Sequence, residues 1–150
     1  MNDEFVIPPL KMIKSEVANF VQHIPIWTIT LFTVDGYVLE HRSNNMNLPQ
    51  EIELIISSMS AGLITIAEDM IRMVDHSKLF SQVIVDSENV SDNENFSILL
   101  RQIADNILLA CVFPNSTHLG LITFEIQELT NRIRDIVSQW DIKLHEETMT

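Results

Sequence analysis

Residues 50–75, PQEIELIISSMSAGLITIAEDMIRMVD, carry apolar residues at helical spacing on two faces, and a helix apolar on both sides restricts the possible folds more than any other segment here. At 3.6 residues per turn, Ile52, Ile55, Ile56, Met59, Leu63, Ile66, Met70 and Met73 fall on one broad face. Leu54, Ser57, Ala61, Ile64, Glu68 and Ile71 fall on the opposite one. One stripe can pack on the domain's own sheet, which leaves the other for a partner. The second stripe advances in alternating steps of three and four residues and is rich in small side chains, a pattern that suits close packing of helix on helix. The first stripe is therefore expected to face the core and the second to form a protein–protein contact. Burial of both faces within a monomer is the competing arrangement. Glu68 and Arg72 on the second face oppose it, because a buried unpaired charge is costly whereas an interface holds charges at its rim.

A chain of 150 residues with 46% hydrophobic content is one domain with enough apolar surface for an ordinary core. The formal net charge of −12 and the scatter of nine Lys and Arg residues argue against nucleic acid or an anionic membrane as primary ligand, since phosphate binding needs clustered cations. The start, MNDEFVIPPLK, lacks the cationic and apolar pattern of a secretory signal, and no later apolar run is expected to span a bilayer. A cytoplasmic location is the expectation. The single cysteine, Cys111, sits in the apolar run NILLACVF and reads as a buried thiol, with no second cysteine for a disulfide or a zinc site.

Pro8 and Pro9 open a helix whose apolar positions Leu10, Ile13, Val17, Phe20 and Ile24 recur at helical spacing until Pro25. IWTITLFT (26–33), the Asp35-Gly36 turn and YVLEHR (37–42) form a hairpin. SNNMNLP (43–49) leads to the two-striped helix, with Asn47 as a cap and Pro49 near its first turn. LFSQVIVD (79–86) is a strand and SENVSDNEN an acidic loop. FSILLRQI (96–103) and NILLACVF (106–113) form a second hairpin around Ala104-Asp105. Pro114 to Thr117 break the strand before Leu119, Ile122, Ile126, Leu129, Ile133, Ile136 and Trp140 mark a closing helix. The expected architecture is α/β: a single five-stranded antiparallel sheet with helices on both faces, in the order α-β-β-α-β-β-β-α. Residues 10–140 form the domain, between a flexible start (1–9) and a flexible tail (141–150).

This order, with the segments ITLFTVDGYVLEHR, SMSAGLITIAEDM and NILLACVFPNSTHLGLITFEIQELTNRI, resembles the Roadblock family of dynein-associated light chains and small-GTPase regulators over about residues 10–138. The family's strand, polar turn and Leu-Gly-Leu helix start are matched by Leu119-Gly120-Leu121. Where family members often carry glycines flanking the third strand, this chain has VDHSK and SENVSDNEN, which contain none. The resemblance implies a longin-like or profilin-like sandwich that pairs with itself or with a second Roadblock-like subunit. The middle helices would pack side by side and the third strands would pair. Its helix contact would fall on Leu54, Ser57, Ala61, Ile64 and Ile71, and its strand contact on Leu79 to Asp86, including Phe80, Gln82 and Ile84. It implies a binding module that scaffolds or regulates a Ras-like small GTPase, serves as an adaptor on dynein, or belongs to a bacterial or archaeal polarity system. Some dimers of the bacterial branch speed GTP hydrolysis without an arginine finger; Arg42, Arg72, Arg101, Arg132 and Arg134 are the arginines to inspect for such a role here.

The residues themselves point to no reaction. Only three glycines, Gly36, Gly62 and Gly120, are present, too few and too scattered for a phosphate-cradling loop, so the chain is not expected to bind GTP itself. His23, His41, His76, His118 and His145 lack the spacing of a zinc site, and the carboxylates of residues 86–94 lack the calcium-loop glycine, so neither cofactor nor metal is expected. The acidic loop reads as a solvated connection; its functional alternative is steering of a basic partner. Trp27 and Trp140 read as core residues, with Trp140 the better candidate for a partner anchor. No nucleophile, base and orienting group form a recognised set, so an enzyme is not expected. The alternative to a Roadblock-like module is a small-molecule sensor of the PAS or GAF type, which also covers an antiparallel sheet with helices but encloses a ligand.

Overall fold

The computed structural model describes residues 8–44, 48, 51–88 and 95–148. Helix α1 (Pro8–His23) is followed by strands β1 (Thr28–Phe32) and β2 (Val38–Ser43) and helix α2 (Ile52–Val74). Strands β3 (Gln82–Asp86), β4 (Phe96–Ala104) and β5 (Ile107–Pro114) precede helix α3 (Leu119–Thr148). All pairings are antiparallel, and the strand order is β2-β1-β5-β4-β3, so β2 and β3 are the two edges. The expected order and sheet are both present. The Asp35-Gly36 turn closes the first hairpin: Gly36 donates to the Thr33 carbonyl at 2.8 Å and adopts φ +89°, a left-handed conformation that glycine takes without steric cost.

Alternation along the strands sends apolar side chains to two cores. Ile29, Leu31, Leu99, Leu109, Cys111 and Phe113 pack under α1 and α3. Phe32, Leu100, Leu108, Ala110 and Val112 pack under α2 with Ile56, Ala61, Ile64 and Phe80. Cys111 is fully buried as expected, and burial pushes its thiol far above the usual range, which leaves it unreactive at neutral pH. Helix α3 continues to Thr148, beyond the tail expected at 141, because DIKLHEET contains neither glycine nor proline to stop it. Helix α2 starts at Ile52 after Glu51, which holds a left-handed conformation (φ 61°) without a side-chain cap bond. The expected cap Asn47 and first-turn Pro49, the side chain of Trp140 and most of the acidic loop (89–94) lie outside the described residues. By length and composition alone α2 meets the criterion for a bilayer span, with 23 residues and a mean hydropathy of 1.5 over its most apolar window, contrary to the expectation that no run does so.

Candidate partner interface

Helix α2 lies over the β2–β1–β5 part of the sheet, touching those three strands. Its sheet-facing side is built from small and polar residues: Ser57, Ser60 and Ala61 are buried together with Ile56 and Ile64. Beneath them β1 presents Thr28 and Thr30, both inaccessible. Small side chains on both partners let helix and sheet approach closely. Two of the hydroxyls are satisfied locally, since Ser57 Oγ donates to the Leu54 carbonyl at 3.2 Å and Thr30 Oγ1 lies 2.8 Å from His41 Nδ1, whereas Thr28 Oγ1 is buried without a hydrogen-bond partner.

The bulky stripe points outward. Met59 is 71% exposed, Met70 63% and Met73 84%, and Ile55, Leu63 and Ile66 are exposed beside them. Contiguous apolar surface of this kind marks an interaction site, and methionine suits it because the thioether side chain adapts to its partner. Next to the stripe, an apolar cleft of about 630 Å³ opens between α2 and the β4–β3 side of the sheet. Ile55, Met59 and Leu63 form one wall and Val85, Phe96, Ile98 and Leu100 the other. Trp27 contributes to the floor and packs on Phe96 with ring centroids 5.6 Å apart, so it is a half-buried core residue that also borders the cleft. The far wall ends at β3, whose outer edge has no neighbouring strand among the described residues.

The sheet's layout compares closely with solved structures. It superposes on the gliding protein MglB of Thermus thermophilus with a TM-score of 0.74 at 12% identity, over 90% of this chain and 95% of that one. Myxococcus xanthus MglB gives 0.71 at 15% identity, covering 90% and 94%. The Roadblock/LC7 domain from Streptomyces avermitilis gives 0.69 at 16%, covering 83% and 97%. The chain has the Roadblock fold. No protein-family model and no curated protein sequence matches it, so the likeness is one of structure.

Within the Roadblock fold, the residues expected at a dimer contact separate into two groups. Ser57, Ala61 and Ile64 face the chain's own sheet, at 0%, 9% and 3% exposure, and Ile71 packs partly into the same core. Relative to expectation the two stripes of α2 are therefore exchanged at most positions, while Ile56 and Ile52 of the first stripe stay with the core. The expectation weighed hydrophobicity, whereas burial here follows size: the side that must approach β1 is the one with small residues. Leu54 is exposed beside the inner face. Phe80 is buried in the α2 core rather than offered to a partner, and β3 begins at Gln82, not Leu79. Gln82 and Ile84 do lie on the free edge strand. The missed residues, Met59, Leu63, Met70 and Met73, carried a readable signal in four bulky residues opposite the Ser-Ser-Ala face.

Two charged features flank the interface. At the start of α2, His41 on β2 lies between Thr30 and Glu53, with Nε2 4.0 Å from Glu53 Oε2. Burial lowers its pKa, only partly opposed by the Glu53 and Glu40 carboxylates. A lowered pKa means the unfolded chain binds a proton more readily, so the His41 contribution is complete above the ordinary value of 6.5 and declines as pH falls below it. The thermal midpoint is therefore expected to drop between pH 7 and pH 5.5, and His41→Gln to flatten that slope, as measured by calorimetry. A slope identical in both proteins would contradict the assignment. On the other face of the sheet, Arg101 donates to Gln82 Oε1 at 3.4 Å and to Gln127, and Arg134 Nε donates to the Ile103 carbonyl at 2.5 Å. Burial and the neighbouring Arg134 charge both lower the Arg101 pKa. Arg42 pairs with Glu40 and Arg132 with Glu16, whereas neither Arg101 nor Arg134 forms an ion pair with a carboxylate among the described residues.

Proposed function

We propose that this chain is a noncatalytic, cytoplasmic module that pairs with a second copy of itself and binds or scaffolds a Ras-like small GTPase, modulating its GTP hydrolysis. The observation that carries the reading is the exposed Met-rich stripe of α2 beside an apolar cleft and a free strand edge. A ridge next to a groove of the same chemistry is self-complementary. A two-fold axis then seats each ridge in the other copy's groove and covers two β edges at once. The interface so proposed comprises Ile55, Met59, Leu63, Ile66 and Met70 on α2 with Gln82, Ile84 and Val85 on β3; Ser57, Ala61, Ile64 and Phe80 are excluded because the chain's own core covers them. One similar structure, MglB with a tetrameric arrangement, superposes with a TM-score of 0.74 at 12% identity, covering 90% of this chain and 94% of that one, so a protein of this fold does assemble.

The GTPase part of the reading rests on the Roadblock resemblance and on the absence of a phosphate-binding glycine loop from the sequence, which suits a regulator rather than a switch. Purified Ras-like GTPases, loaded with GDP or with a non-hydrolysable GTP analogue, are titrated onto the immobilised protein to test it. Saturable binding that differs by at least about tenfold between nucleotide states, about 1.4 kcal/mol, is the expected result. Absence of saturable binding across the panel would remove the GTPase assignment. The cleft volume of about 630 Å³ favours the alternative of a PAS- or GAF-like sensor, because small-molecule sites span this size range. A metabolite retained through purification by a monomer would establish the sensor reading.

A further inference from the structure

The outer edge of β3 has a defined hydrogen-bonding register. The Ser87 N–H donates to the Phe96 carbonyl at 3.0 Å, and Asp86 stands opposite Ser97 on β4. Alternation then turns the backbone groups of Val85 and Val83 toward β4 and those of Gln82, Ile84 and Asp86 outward. The strand reads Gln-Val-Ile-Val-Asp, which is nearly the same in both directions about Ile84. An antiparallel pair of these strands centred on Ile84 matches valine with valine and uses all three outward residues of each copy. It also sets Gln82 of one copy opposite Asp86 of the other.

That placement bears on the uncompensated arginines. Gln82, Ile84 and Asp86 point to the α3 side of the sheet, where Ile84 packs on the core and Asp86 accepts from Ser97 Oγ at 2.5 Å. Arg101 stands directly across β3 and β4 from Gln82 and already reaches its side chain. The second copy's Asp86 would lie two strand spacings, about 10 Å between Cα atoms, from Arg101. An extended arginine and an aspartate close that span together. One Asp86 oxygen holds Ser97, which leaves the other to accept from a guanidinium. In a chain of net charge −12, Arg101 is part-buried beside the exposed Arg134 and has no ion pair with a carboxylate among the described residues, so an acidic group from a second copy would meet an open positive site.

We propose that Arg101 of each copy pairs with Asp86 of the other across a two-fold axis at Ile84, and that these reciprocal contacts make a second copy of this chain the preferred partner of β3. The inference rests on the self-association reading above. Its test is the dilution-dependent mass of the wild type, Arg101→Asp and Asp86→Arg, alone and as a one-to-one mixture. Each variant alone sets like charges together and is expected to weaken self-association by at least about tenfold. The mixture sets the introduced acid against the introduced base on one side and keeps the native pair on the other, so a mixed dimer should form at wild-type affinity. Asp86→Asn retains an acceptor for Ser97 and guards against a folding artefact; it is expected to weaken pairing and to flatten the wild type's dependence on salt. A dimeric wild type with unchanged variants, or weakened variants that the mixture does not restore, would overturn this inference and leave self-association standing. A monomeric wild type would overturn both.

Discussion

Met59→Glu is expected to leave the domain folded while abolishing its self-association. The side chain is 71% exposed and sits on the outer stripe, so the substitution costs the isolated domain about 0.5 kcal/mol or less. In the pair it places a carboxylate in an apolar cleft, and two-fold symmetry does so twice. Burial of an unpaired charge costs several kcal/mol, so a loss of about 3 kcal/mol, more than about a hundredfold in Kd, is expected. Circular dichroism follows the thermal midpoint and light scattering follows the mass. A variant that remains dimeric at micromolar concentration would show that this stripe is not the contact.

Ala61→Arg should do the reverse and destroy the fold. Ala61 is 9% exposed and lies between α2 and the sheet beside fully buried Ser57. An arginine there must overpack the contact or carry its charge into it, and the two effects together cost about 4 kcal/mol or more. Against a total stability of about 5–15 kcal/mol, the midpoint should fall by about 10 °C or more. From the sequence alone the opposite is expected, a monomer with its fold intact, because Ala61 reads as part of the partner face. A monomeric variant with a wild-type midpoint would restore that original orientation of α2.

The contrast between these two substitutions marks what could be read from the residues. The β-branched runs, the Asp35-Gly36 turn and the short Ala104-Asp105 break were enough to define both hairpins and the sheet. The single stripes of α1 and α3 placed those helices. The orientation of α2 was not legible in hydrophobicity, because both of its faces are apolar enough to be buried. What decides between them is the partner strand: the buried Thr28 and Thr30 of β1 meet the side of α2 that carries Ser57, Ser60 and Ala61, and that match becomes visible once β1 and α2 are placed together. Phe80 was misread for a related reason, since residues before a short edge strand can turn into the core without breaking the apolar pattern. The Arg101–Gln82 contact depends on the pairing of β3 with β4, which no local signal specifies. The C-terminal turns of α3 had no glycine or proline to end them, and polarity alone did not stop the helix.

The solution mass of the purified chain, measured by multi-angle light scattering across a dilution series from about 100 μM to about 0.1 μM, addresses the outward stripe of α2 most directly. An apolar ridge and groove that seat a second copy predict twice the 17.2 kDa chain mass, holding into the low micromolar range, typical of a specific interface. A mass of one chain at every concentration, with a cooperative thermal transition, would contradict self-association through α2 and β3.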